Sequence, residues 1–439
     1  MKPYNLFGLL LVVLGLMGPH LLMAQTPDSL DRYLETAAMN NPGLNADFLA
    51  YKASLEKVPQ AGAWSDPRLD IGFFLKPMDI VGGRQIADFT LMQMFPWFGT
   101  KKAAQTEATH MARMAYARFT ETRDNLYLEV YTQWYLLSTL VQQLRNNREN
   151  LQLLKQLEEL ALRKVSSSSS GISSGMGNTA PGMSDVLRVQ LEMAEIENNI
   201  ESILSEIAAE KAIFNALLNR SADREVILPD SIAKVPFFFD EGVTMSEIEN
   251  RNPMLDMLVE EEQAYRAKGE MKKKMSYPMF GIGLQYMLID ESATAQMEQG
   301  MEPEMTGMDM IMPMVSISIP LYRNKYKAQQ RESRFLWQLA REKYNNTLNM
   351  LQSDLFRLKH QLDDAERKIT LYRKQEQLAR TTYQLVVQEF ISAKSDLTNV
   401  IQVQRQLLEY QLREAEAIAE YNTRVASIRK LRSFDKSNN

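Results

Sequence analysis

Two periodicities alternate along this chain. Ile369, Tyr372, Ala379, Tyr383, Val386 and Phe390 step by three and four, interrupted only by charged Glu376, while Leu137, Leu140, Leu144, Leu151 and Leu154 form a second stripe broken by Asn147. Such spacing predicts helices with one apolar seam. They sit in long stretches free of Gly and Pro: Lys101 to Ser170, resuming from Met183 to Leu228, and Leu321 to the end, 119 residues. At 1.5 Å per residue, 65 such residues make a rod of about 100 Å, a coiled-coil length that no compact domain needs. Shorter amphipathic stretches, Leu30 to Lys57 and Met245 to Lys274, come before them.

Between the helical stretches the period is two. Leu69, Ile71, Phe73 and Leu75 interleave with Arg68, Asp70 and Gly72; Phe280, Ile282, Leu284 and Tyr286 with Gly281, Gly283 and Gln285; Val315, Ile317 and Ile319 with Ser316 and Ser318. A fourth candidate, Ala87 to Phe95, is less regular because Gln93 falls in its apolar register. One apolar face and one small or polar face suit a strand between lipid and a watery lumen. A hairpin packed on a soluble core alternates in the same way. Aromatics at the strand ends, Trp64, Phe95, Trp97, Phe98, Tyr277 and Tyr322, favour the membrane, where strands carry aromatic girdles. Four strands cannot close a barrel and lipid tolerates no open edge, so two or three chains must share one, giving eight or twelve strands.

The pattern is written twice. Asn41-Pro42 and Asn252-Pro253 are 211 residues apart, as are Pro67 and Pro278, and Gly72 and Gly283. Pro96 and Pro320 are 224 apart, so thirteen residues have entered between the strands of the second copy. Asp185-Val186-Leu187-Arg188-Val189-Gln190 matches Asn399-Val400-Ile401-Gln402-Val403-Gln404 at 214, which leaves ten extra residues beside the Ser/Gly-rich run from Ser166 to Gly182. Insertions that fall in loops are what a structural repeat predicts. The domain reading is therefore a signal peptide over 1–24, a first repeat over 25–228, a linker over 229–243 and a second repeat over 244–439.

The signal peptide rests on Lys2, the uncharged run Leu6 to Leu16 and small Ala24 before polar Gln25. An N-terminal membrane anchor is the competing reading of that segment; no later stretch has the length of a membrane helix. The full chain is ordinary in composition, 45% hydrophobic and 24% charged. Lys plus Arg number 50 against 55 Asp plus Glu, so no basic excess marks a nucleic-acid binder. The chain has no cysteine and three histidines, which removes thiolate chemistry, iron-sulfur clusters and most metalloenzyme constellations. No nucleotide loop or nucleophile elbow is present, and neither an enzyme nor a bound cofactor is expected.

The arrangement resembles the TolC-type outer-membrane efflux family over nearly the whole mature chain. The resemblance is carried by the duplicated Asn-Pro-x-Leu (Asn41 to Leu44, Asn252 to Leu255), the Pro after each second strand (Pro96, Pro320) and the late Asp-Val-Leu-type segment of each copy. It implies an α+β membrane protein: a homotrimer with a twelve-stranded β-barrel in outer-membrane lipid, continued by a periplasmic α-barrel of long antiparallel coiled-coil helices. It also implies a passive exit duct that docks on a periplasmic adaptor and an inner-membrane pump of the RND type. Carboxylates that ring the closed aperture in that family fall here near Asn399 and Gln402, which are amides. Asp396 and Asp185 are the substitutes, with Arg188 and Lys394 beside them, and helix capping is the plainer role for Asp396. Gly171 to Gly182 falls at the other tip, as an adaptor-docking site or a plain linker.

Methionine is unevenly spread. Twenty-seven in 439 residues predict about one in any 18, yet Met297, Met301, Met305, Met308, Met310, Met312 and Met314 fall in one such window, in the inserted loop and the start of the last strand. Thioethers are soft ligands for Cu(I) and Ag(I); a pliable apolar loop is the plainer reading. The leading expectation is an exit duct for such metal ions, as in the copper and heavy-metal branch that the resemblance brings to mind. The alternatives are a duct for drugs or secreted polypeptides, and a periplasmic coiled-coil scaffold without a pore.

Overall fold

The computed structural model describes residues 30–77, 79–80, 83–168, 183–290, 307–392 and 394–434. The signal-peptide segment, most of the Ser/Gly-rich run, and Met297, Met301 and Met305 lie outside the described residues.

The long helical patterns fold as helices. In chain order the elements are α1 (Leu30–Asn40), α2 (Pro42–Gly62), β1 (Arg68–Phe73), β2 (Asp79–Ile80), β3 (Gly83–Phe95), α3 (Thr100–Ser168) and α4 (Met183–Leu217). Then follow α5 (Glu241–Arg251), α6 (Pro253–Lys274), β4 (Met279–Asp290), β5 (Met310–Ser318), α7 (Arg323–Ile391) and α8 (Leu397–Leu431). Helix lengths pair off between the halves: 11 with 11, 21 with 22, 69 with 69 and 35 with 35 residues.

The residues form two compact units, each assembled from separated stretches of chain. One takes residues up to Pro42 with Asn125–Phe238 and Arg357–Lys430; the other takes Gly43–Asp124, Phe239–Phe356 and the chain from Leu431 onward. In the first, both predicted seams are buried: Leu140, Leu144 and Leu154 pack in one core with Val186, Val189, Ile196, Phe390, Leu397 and Val400. Polar residues are set into that core in register. Gln404 donates to Asn150 Oδ1 at 3.1 Å, and Asn150 donates to Gln411 Oε1 at 3.1 Å. A buried amide pair of this kind fixes the register of packed helices, because a slip leaves both groups unpaired. At the other end of this unit, buried Tyr33 meets Trp134 and Phe214 ring to ring at 5.4 and 5.1 Å.

In the second unit the sheet is joined by α2, α5, α6 and parts of α3 and α7. His110 Nδ1 lies 2.6 Å from Glu260, Trp337 donates to Glu262 at 2.6 Å, and Phe48 packs on Phe119 at 5.4 Å. Asp124 is wholly buried there. Arg123 donates to its Oδ1 at 2.7 Å and Ser433 donates to its Oδ2. Burial pushes the Asp124 carboxyl above its ordinary value, against the pull of Ser433 and Arg123.

The repeated Asn-Pro has a physical role. Asn252 accepts from the Met254 and Leu255 amides at 3.0 and 3.4 Å, and Pro253 opens α6 where its missing N–H is no loss. Its amide group also donates to the Leu431 carbonyl at 2.9 Å, at the end of α8. Asn41 makes the same bond to the Leu217 carbonyl, at the end of α4, at 3.1 Å. Each Asn thus satisfies an orphan carbonyl of a 35-residue helix.

Some boundaries differ from the sequence expectation, while the break before α8 falls where the cap reading of Asp396 puts it. Helix α4 stops at Leu217 rather than Leu228, because Asn219 turns left-handed (φ 51°) and Asn215 folds back to donate to the carbonyls of Ala222 and Arg224. The stretch from Leu321 onward is two helices: the Lys394 amide reaches back to the Glu389 carbonyl, and Asp396 starts the second. Strand β1 ends at Phe73, so Leu75 is outside it. A two-residue β2, which the alternation does not reveal, pairs with the start of β3.

Candidate membrane-facing sheet and helical tip

The strands pair antiparallel in the order β1-β3-β4-β5, leaving β1 and β5 as edges. Leu69 pairs with Leu91, Leu91 with Leu284 and Leu284 with Pro313; Ile282 pairs with Val315 and Phe280 with Ile317. This register gathers the alternating Leu, Ile, Val and Phe positions within the predicted strands onto one face. Leu69, Ile71, Phe73, Leu91, Ile282, Leu284, Ile311, Val315 and Ile317 are all exposed there. A water-soluble monomer rarely leaves so continuous an apolar patch uncovered. At about 3.3 Å per residue, the 12-residue β4 tilted by about 45° rises about 28 Å, close to the apolar band of a membrane strand.

Gln93 is the exception on that face, opposite Ile282. It stands near the strand end, where its amide donates to the Ser65 carbonyl at 2.8 Å and so carries no unmet donor into the apolar band. The opposite face bears Asp70, Gly72, Asp88, Thr90, Gly281, Gly283, Gln285, Ser316 and Ser318.

The aromatics gather at the end of the sheet from which the long helices leave. Trp97 stacks on Tyr277 at 5.1 Å and lies 5.9 Å from Phe280 and 6.0 Å from Phe98. Trp64 meets Phe95 edge-on at 5.2 Å, with Lys101 Nζ 3.2 Å from the Trp64 ring centre. Lys274 donates to the Gly99 carbonyl at 3.3 Å, and Gly99 adopts φ 78°, which a side chain resists. Aromatic rings with amphipathic lysines form the belt seen where strands leave a bilayer. Of the six predicted aromatics, Tyr322 stands exposed beyond β5.

The predicted tip residues lie in the other unit and separate into two roles. Asp396 accepts from the Asn399 amide at 2.9 Å and caps α8, the plainer of its two readings. Asn399 donates from its side chain to Ser395 at 3.3 Å. Arg188 on α4 donates to Thr398 at 2.8 Å and ties the second turn of α4 to the first of α8. Asp185 is in the first turn of α4, and Lys394, Asn399 and Gln402 are exposed.

Sequence reading missed the strongest polar contact of this region. Glu192, 7% exposed, takes Arg405 Nε onto both carboxylate oxygens at 2.8 Å, with a further bond from Nη2. These residues are 213 apart, and only their helical faces, one turn beyond Arg188 and two beyond Thr398, would have paired them. Lys164 closes the far side by donating to the Phe390 carbonyl at 2.6 Å.

No helix among the described residues is long and apolar enough to cross a membrane. No protein-family model and no curated protein matches the sequence. Solved structures do match in fold. The outer membrane protein VceC of Vibrio cholerae aligns with a TM-score of 0.72 at 14% identity, over 92% of this chain and 96% of its own. CusC, described for transmembrane channel formation, gives 0.72 at 12% identity over 93% and 92%. The CmeC outer membrane channel of Campylobacter jejuni gives 0.67 at 11% over 93% and 87%. The long helices and four-stranded antiparallel sheet of this chain are the fold of those outer-membrane channels, as the sequence resemblance implied.

Proposed function

We propose that the protein is a passive exit duct of the outer membrane, working as a homotrimer in a tripartite efflux system. The observation that carries this reading is the exposed apolar face of a four-stranded sheet whose two edges are open. Lipid accepts the face but not the edges, and three copies joined β5 to β1 give a closed barrel of twelve strands. A second feature supports the trimer. Leu371, Leu378 and Leu385 stand exposed at steps of seven along α7, an apolar seam that no helix among the described residues covers. The predicted signal peptide fits export, and the aromatic and lysine belt fits the inner rim of the outer membrane.

In this reading the ends of α4, α7 and α8 near Asp185, Arg188, Lys394 and Asp396 point into the periplasm. They meet an adaptor there, and through it an inner-membrane pump of the RND type. Flow is driven by that pump, and the duct itself supplies a wall and an aperture. The cargo proposed is soft metal ions, Cu(I) and Ag(I), on the strength of the methionines concentrated around the last strand.

Deleting the gene and measuring growth on copper, silver, zinc, cobalt, cadmium, dyes and detergents tests it. Sensitivity to copper and silver, restored by the intact gene, is the expected result. Sensitivity to dyes alone keeps the duct and removes the metal cargo. A protein that washes from the membrane fraction removes the duct and leaves a scaffold.

A further inference from the structure

The strand register sorts the methionines of the sheet by face. Met92 and Met94 of β3, Met279 and Met287 of β4, and Met310, Met312 and Met314 of β5 all fall on the face opposite the exposed apolar one. The apolar face, read across the same registers, holds Leu, Ile, Phe, Val and Ala with Tyr286, Pro313 and Gln93, and no methionine. Methionine that served only as flexible apolar filler would be as welcome in lipid as leucine, and would not be confined to the face shared with Asp88, Thr90, Gln285 and Ser316.

Two glycines bring part of this set together. Met92 pairs across Gly283 toward Met314, two strands or about 10 Å away, with no side chain between them. A Cβ placed on Gly281 would lie 2.6 Å from Met94 Sδ and 3.2 Å from Met92 Sδ, so these sulfurs are within the sum of those distances, 5.8 Å, of each other. One placed on Gly283 would lie 3.1 Å from Met92 Sδ. Both thioethers therefore lie flat over the bare backbone of β4, and each has three rotatable bonds with which to turn toward a shared ion. Among the described residues no group of three His, Asp or Glu side chains is placed to hold a metal, so thioether is the ligand chemistry this face offers.

We propose that this face is a binding surface for soft monovalent cations, Ag(I) and Cu(I), with Met92, Met94 and Met314 around Gly281 and Gly283 as its centre and Met287, Met310 and Met312 as its continuation. Thioether sulfur is a soft donor and selects such ions over Zn(II) or Mg(II). The inference rests on the duct reading, in which this face lines the lumen and is repeated three times. It moves the metal contact from Met297, Met301 and Met305 onto the path of the cargo.

The test uses the full-length protein purified in detergent and silver nitrate in chloride-free buffer. Silver retained after dialysis is measured by mass spectrometry for the parent, for Met92→Leu/Met94→Leu/Met314→Leu, and for the loop variant Met297→Leu/Met301→Leu/Met305→Leu. Leucine keeps the volume and removes the sulfur. The expected result is silver bound by the parent and the loop variant and lost from the sheet variant, with zinc bound by none. Equal silver on parent and sheet variant, no silver on the parent, or loss only in the loop variant overturns the proposal. Met92→Leu alone, expected to lower the silver retained, serves if the triple variant does not assemble. The duct reading is checked separately in the cysteine-free chain: Ser316→Cys should react with a water-soluble thiol reagent in membranes and Val315→Cys should not. The reverse pattern refutes the lumen itself, whereas the expected labelling without silver binding refutes only the metal site.

Discussion

Changing Leu371, Leu378 and Leu385 to Ser tests the trimer at its seam. These side chains are 49%, 59% and 60% exposed in the single chain. Full burial of a leucine is worth about 1.5–3 kcal/mol, so covering the remaining half to three-fifths contributes about 1–1.5 kcal/mol each. Over three residues that is about 4 kcal/mol per interface, or roughly a thousandfold in association. None of it is drawn from packing inside the chain, so the separated protomer should keep its helicity. Sedimentation or native mass spectrometry over a dilution series in detergent reads the mass, and circular dichroism reads the helices. The expected outcome is a variant that falls to monomer where the parent remains trimeric, at equal helix content. A variant that stays trimeric at the parent's dilution limit refutes the seam as an interface. Loss of helicity would mean that the leucines support the protomer instead.

Three further outcomes follow from the packing. Arg405→Leu leaves Glu192 buried without its partner and should lower stability by about 2 kcal/mol, less than a fully buried pair because the arginine is half in water; Arg405→Leu/Glu192→Leu should recover part of this in a guanidinium melt. Asp124 has a raised native pKa, so the folded state keeps a proton that the unfolded chain releases near 3.8. Its contribution is therefore most favourable below that value and declines as pH rises through the native pKa; relative to Asp124→Asn, the parent's melting temperature should rise as pH falls across that window. Gly283→Ala puts a methyl 2.9 Å from the Leu91 carbonyl, a backbone atom that cannot turn aside, and should weaken heat-resistant assembly by about 1–3 kcal/mol on gel migration.

The helices were legible because their seams recur for tens of residues, and the strands because the sheet exposes one face and hides the other. Ends were less legible. The stop at Leu217 depends on Asn215 and Asn219, which composition alone does not distinguish from helix-interior asparagines such as Asn147 and Asn150. Asp396 caps α8, one of the two roles its place after Ser395 at a break in apolar spacing allowed. The Glu192–Arg405 pair was invisible, since a bond across 213 residues needs the register of two helices to be known first. The face-sorting of methionine was invisible for a similar reason. Met92 and Met94 sit far in sequence from the cluster that ends at Met314, and only the ladder through Gly281 and Gly283 brings them to it.

The matched helix lengths bear on how such a chain is free to change. Adding or removing one residue in α3 or α7 turns every later side chain by about 100° and shifts it by about 1.5 Å. A substitution alters one contact, whereas a single-residue indel carries a whole core seam toward water and Asn150, Gln404 and Gln411 away from one another. Sharing a fold at 11–14% identity over more than nine-tenths of the chain is compatible with that constraint. Length is then more tightly constrained than residue identity in these helices, which match in pairs at 69 and 35 residues. An engineer wishing to lengthen or shorten α3 should therefore work in whole heptads, in step with its neighbours.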